Sequence, residues 1–173
     1  MTLDEVLSLE ADKKSIKKID MFLRDKDETS YEYARAIAYK ALILHNSDKD
    51  KDALRILLSL TPYFNNYDND SVVALCDTLI DIFLSLDNND QALKYIDIKN
   101  DHLKTIDKDQ YLYDMIRYYT NVGNRIELKR TITQYLFEDI SEENKIKALE
   151  ELQTLQFYDK EYDNFYDSFK KLK

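Results

Sequence analysis

The chain holds 173 residues with a net charge of −9, and it contains one Gly, one Pro and one Cys. A chain of this length buries roughly 70% of its unfolded surface, which suits one self-sufficient domain. The near-absence of glycine excludes folds built on positive-φ turns and phosphate loops, the acidic balance disfavours nucleic acid as a direct partner, and the lone Cys76 rules out an internal disulfide and fits a reducing compartment.

Taken in chain order, Thr2 followed by Glu5 forms a capping box that opens a short helix with Leu3, Val6 and Leu7. A second helix carries Ile16, Ile19, Phe22 and Leu23 on its apolar side, and the charged run from Arg24 to Glu28 closes this N-terminal pair over residues 1–28. Asp4, Glu5 and Glu10 interrupt the only apolar stretch near the start, so no signal peptide is expected.

Four hairpins are predicted over 29–173. Thr29 or Ser30 caps a helix at about 30–45, with Ala34, Ile37, Ala41 and Leu44 at helical spacing, and its partner returns over about 50–61 until Pro62 stops it. The next pair spans about 70–86 and 89–104, with Val72, Cys76, Leu79, Ile80 and Phe83 facing Ala92, Tyr95 and Ile96. A third covers about 108–122 and 125–138 with Gly123 between, and a fourth about 142–157, entered through Ser141, and 160–173. With glycine so scarce, the turns rest on the Asn/Asp clusters Asn46 to Asp52, Asn65 to Asp70, Asp87 to Asp90 and Asn121 to Asn124.

One pair of residues recurs through these elements: Ile19/Leu23, Ala53/Leu57, Ala92/Ile96, Leu128/Ile132 and Phe165/Phe169, at spacings of 34, 39, 36 and 37 residues. That is the period of a helical-hairpin repeat. The positions before it repeat as well, with Ile37, Cys76, Leu112 and Leu149 early in the first helix and Ala41, Ile80, Ile116 and Gln153 where the helices cross. On these residues the chain, from about 30 to 173, resembles the tetratricopeptide-repeat family or a close helical-hairpin relative. It departs from that pattern in lacking Gly at the crossing and in keeping Ala at only two of four second-helix positions. The resemblance implies an all-α, right-handed superhelix of about five stacked antiparallel helix pairs.

The resemblance also implies where a ligand would lie, on first-helix positions that the core does not consume. Carried over, these include Arg35, Asp77, Asp81, Tyr113, Arg117 and Lys147, and Asn121 extends Tyr113 and Arg117 into one stripe. Tyr and Arg are the types most enriched at binding hot spots. The family's carboxylate clamp for chaperone tails is not reproduced, because Ala38 and Leu42 stand at its leading positions.

Chemistry has thin support. Asp48, Asp50 and Asp52 alternate like the start of a calcium loop, but Ala53 and Ser59 occupy the positions where such a loop needs Gly and Glu. His45 and His102 stand 57 residues apart with no nearby Cys, and Cys76 lies on an apolar stripe beside Asp77, the wrong sign for a thiolate. No catalytic residue, metal or cofactor is expected. The expected function is a noncatalytic module binding a protein or peptide; the alternative is a regulatory or sensory input domain of a larger bacterial signalling protein, for example a diguanylate cyclase. With no run long enough for a membrane span, the protein is expected to be soluble and cytoplasmic. Tyr162, Phe165, Phe169 and Leu172 share one stripe of the last helix. The stripe is expected either to be spent on Leu149, Leu152 and Leu155, or to mark the chain as an amino-terminal fragment or to meet another subunit or a following domain at its edge.

Overall fold

A computed structural model of the chain describes residues 1–103, 108–138 and 140–158. These are all-helical: α1 Leu3–Leu7, α2 Lys13–Leu23, α3 Tyr31–Asn46, α4 Asp50–Leu58, α5 Asn69–Ser85, α6 Asn89–His102, α7 Lys108–Val122, α8 Arg125–Leu136 and α9 Glu142–Tyr158, with a 3₁₀ segment at Thr61–Asn66. The predicted final helix at 160–173, with Phe165 and Phe169, lies outside the described residues. Among those described, no helix is long and apolar enough to cross a membrane. The chain forms two compact units, Met1–Lys104 and Thr105–Lys173.

Helix starts follow local chemistry. Thr2 and Glu5 form both bonds of the capping box, at 2.7 and 3.2 Å. Asp12 accepts from the backbone N–H groups of Lys14 and Ser15 at the head of α2, and Ser30, not Thr29, caps α3 through the N–H of Tyr33. The Thr29 hydroxyl turns back to Asp27.

Three hairpins share one turn. In each, the first helix ends in a residue of left-handed conformation: Asp48 at φ 60, Asp87 at φ 55 and Gly123 at φ 73. The next N–H reaches back five residues, from Lys49 to Leu44 O, Asn88 to Phe83 O and Asn124 to Tyr119 O, at 2.8, 2.9 and 3.1 Å. This is a Schellman closure. The same residue then receives the first bond of the returning helix, from Ala53, Ala92 and Leu128 at 3.0, 3.1 and 2.9 Å. The recurring sequence pair therefore sits at one fixed place after each turn. Its members are buried in all three: Ala53 and Leu57, Ala92 and Ile96, Leu128 and Ile132.

In the first unit, α3 packs on α1, α2, α4 and α5, and α5 packs on α3, α4 and α6. Two faces of α3 are consumed in this way. Ala36 and Ile43 join Val6, Ile19 and Phe22, while Ala34, Ile37, Ala41 and Leu44 are also buried. Phe83 of α5 stacks on Tyr95 of α6 with ring centroids 5.8 Å apart and planes 9° from parallel. In the second unit α8 packs on both α7 and α9, around Leu128, Ile132, Tyr135, Ile140, Ala148 and Leu152.

One boundary differs from expectation. The helix predicted to run to residue 61 ends at Leu58, and Pro62 sits in the first turn of the 3₁₀ segment rather than behind a helix end. Proline's missing N–H is harmless there, since first-turn donors have no partner within the helix. The segment anchors itself by burying Leu60, Phe64 and Tyr67, and the Tyr67 hydroxyl donates to the Glu28 carbonyl.

Candidate functional site

Helix α5 is so enclosed that from Ser71 to Leu84 only Val73, Ala74, Asp77 and Asp81 escape full burial. Asp77 and Asp81 lie one turn apart on this strip. Asp77 is already engaged: its Oδ1 lies 2.5 Å from the Lys99 ammonium of α6, whose side chain is only 6% exposed. A buried ammonium demands such a partner, because desolvating an unpaired charge costs several kcal/mol, roughly. Arg35 stands half-buried on α3 of the same unit.

The second unit brings more of the predicted residues together. On α7 the stripe of Tyr113, Arg117 and Asn121 forms, with Tyr113 and Asn121 exposed. The Arg117 guanidinium lies 5.9 Å from the centre of the Tyr113 ring and 3.8 Å from Asp114, whose carboxylate is buried. A cation over a ring face is attracted by the ring quadrupole. Lys147 reaches the stripe's neighbourhood from α9. Its Nζ is 2.9 Å from Glu143, and that hydrogen bond and charge hold the ammonium above its usual range, with Tyr113 and Tyr135 close enough to add to the effect. Burial pushes the Tyr135 phenol up, with Asp109 and Tyr113 adding to the shift. Tyr113 and Arg117 of α7, Tyr135 of α8 and Lys147 of α9 thus share one electrostatic neighbourhood, with exposed aromatic surface and two cations tethered to carboxylates.

Sequence reasoning named Tyr113, Arg117 and Lys147 as candidates and did not name Tyr135, Asp114 or Lys99, which lie beside candidate residues in the structure. Tyr135 lies seven residues after Leu128, two turns on along the same face. That spacing was a readable signal. The burial of Asp114 and Lys99 carried none, because charged residues are mostly exposed.

Elsewhere the carboxylates disperse. Asp48 is the left-handed turn residue, Asp50 lies 2.6 Å from His45 Nδ1, and Asp52 lies 3.4 Å from Arg55. His102 Nδ1 meets Asn69 Oδ1 at 2.8 Å, which ties the end of α6 to the start of α5. Among the described residues no three His, Cys, Asp or Glu side chains gather as metal ligands would. Cys76 is buried within α5.

No family model matches this chain, and neither curated proteins nor solved structures include a significant match.

Proposed function

We propose that this chain is a noncatalytic helical-repeat module, of the tetratricopeptide type and stacked as a right-handed superhelix, that binds a protein or peptide segment. The observation that carries this reading is the hairpin turn repeated at Asp48, Asp87 and Gly123, each followed at a fixed distance by the same buried pair. Such a pattern makes each hairpin an equivalent unit whose unfilled first-helix positions can face a ligand. The binding face is Tyr113, Arg117 and Lys147, with Asn121 at its end. An exposed Tyr backed by Arg supplies rigid apolar area and directed donors at small entropic cost. The net charge of −9 and the single cysteine fit a protein partner in a reducing compartment such as the cytoplasm.

Affinity capture on the wild-type chain, read by mass spectrometry, supplies the partner. Tyr113→Ala and Arg117→Ala should each weaken its binding by about 2 kcal/mol or more. Because Tyr113 is 53% exposed, its removal should shift stability by no more than about 0.5 kcal/mol. Unchanged affinity in both variants, or parallel loss of stability and binding, would remove this face from the account.

A further inference from the structure

Helix α2 departs from the charge of the chain around it. Residues 13–26 carry six Lys or Arg against two Asp, in a chain of net charge −9. The fold sorts these charges by face. Ser15, Ile19 and Phe22 are buried, and Ile16 and Leu23 pack beside them, so the opposite face is turned outward. On that face Met21 is 65% exposed, and at helical spacing around it stand Lys14, Lys17, Lys18, Arg24 and Asp25.

The acids that could neutralise these cations are spent elsewhere or too few. Asp20 pairs with Lys40 of α3 at 2.7 Å, and Glu32 pairs with Lys26 at 3.4 Å. Among the described residues, Lys14, Lys17, Lys18 and Arg24 have no ion-pair partner, and Asp25 is the one acid within the ring. Beside them runs an open groove lined by Met1, Lys18, Met21, Phe22, Asp25 and Lys26, with Met1 62% exposed. Two exposed methionines provide polarizable, adaptable apolar surface, and the Lys26 ammonium lies 4.9 Å from the centre of the Phe22 ring at the groove floor.

We infer that this face of α2 is a docking site for an acidic peptide segment of another protein, anchored by an apolar side chain between Met1 and Met21 and held by its carboxylates on Lys14, Lys17, Lys18 and Arg24. Charge complementarity selects the occupant, because four unpaired cations ring the methionines. The groove favours a peptide over a membrane. The buried side of α2, Ile19 and Phe22, is already spent on Val6, Ala36 and Ile43, so only Met1 and Met21 remain to insert, and the acidic remainder of the chain is repelled by an anionic bilayer. This surface belongs to the first unit and the Tyr113 face to the second.

The test uses the intact chain and a fluorescent peptide of repeating Glu-Glu-Glu-Leu, followed by anisotropy, with a Lys-Lys-Lys-Leu peptide, phosphatidylserine vesicles and duplex DNA as parallel probes. Only the acidic peptide should bind, and its affinity should fall about tenfold or more as salt rises from low to physiological strength. The triple variant Lys14→Glu, Lys17→Glu, Lys18→Glu should abolish binding, Met21→Ser should weaken it several-fold, and Lys51→Glu on α4 and Tyr113→Ala should leave it unchanged. Lys17→Glu alone should weaken it several-fold and stands in if the triple variant loses its helical circular dichroism. No binding of the acidic peptide by the wild type, binding indifferent to the Lys17 change, or binding of vesicles or DNA in its place would overturn the proposal.

Discussion

At the scale of single residues, two buried hydroxyls make opposite predictions. Tyr67 is buried, donates to the Glu28 carbonyl, and has its phenol pushed up to about 12, first by burial and then by neighbouring Tyr33 and Glu28. A phenol whose folded value lies above its unfolded value of about 10 stabilises the fold fully below that lower value. Its contribution disappears as pH rises from about 10 towards about 12. Tyr67→Phe should therefore cost about 1 kcal/mol at neutral pH through the lost hydrogen bond, while alkaline denaturation curves should be less steep than the wild type's. Identical pH dependence in the two proteins would contradict the assignment. Ser71 is fully buried in the first turn of α5, and among the described residues its Oγ has no hydrogen-bond partner. Ser71→Ala should then raise stability by about 1 kcal/mol by removing an unsatisfied polar atom. A lower denaturation midpoint would show that the hydroxyl has a partner.

The hairpin turn is the informative unit among the elements. Among the described residues, no atom lies within 4 Å of where a Cβ on Gly123 would stand, so Gly123→Ala meets no clash there. Its cost is that of left-handed backbone alone, about 1–2 kcal/mol. Asp48 holds the same conformation in an exposed turn, and Asp48→Gly should raise stability by up to about 1 kcal/mol. Denaturant midpoints for the two variants should move in opposite directions. Ala92 is fully buried at the start of α6, and because added methylenes strain a packed interior, Ala92→Leu should cost about 1–3 kcal/mol. An unchanged midpoint would mean that α5 and α6 are spaced as widely as Leu128 requires of α7 and α8.

These elements also show what the chain makes legible. Asn and Asp were expected to stand in for glycine in the turns, and Asp48 and Asp87 do so, because the same side-chain chemistry that marks them in sequence tolerates left-handed backbone. The repeated pair was readable because burial at one side of a helix imposes a period. The 3₁₀ segment at Thr61–Asn66 was not: Pro62 punctuates the chain equally well behind a helix or at the start of one, and only the burial of Phe64 and Tyr67 decides between them. The basic face of α2 was not singled out in the sequence, where Lys and Arg read as scattered, because it emerges only once Asp20 is taken by Lys40 from twenty residues away. Tyr113 and Lys147 were named as candidates by position along a repeat, whereas Tyr135, whose phenol Tyr113 and Lys147 influence, comes from a second helix that no first-helix pattern includes.

At the scale of the whole molecule, hairpins repeat a turn and a buried pair, the proposed partner face lies in the second unit, and a basic face lies on α2 in the first. The measurement that bears most directly on it is amide chemical-shift mapping of the isotope-labelled chain, titrated with the partner that affinity capture yields. Shifts concentrated on α7 and α9, at Tyr113, Arg117, Asn121 and Lys147, are the predicted result. Shifts confined to other helices, or a spectrum that the partner leaves unchanged, would contradict it.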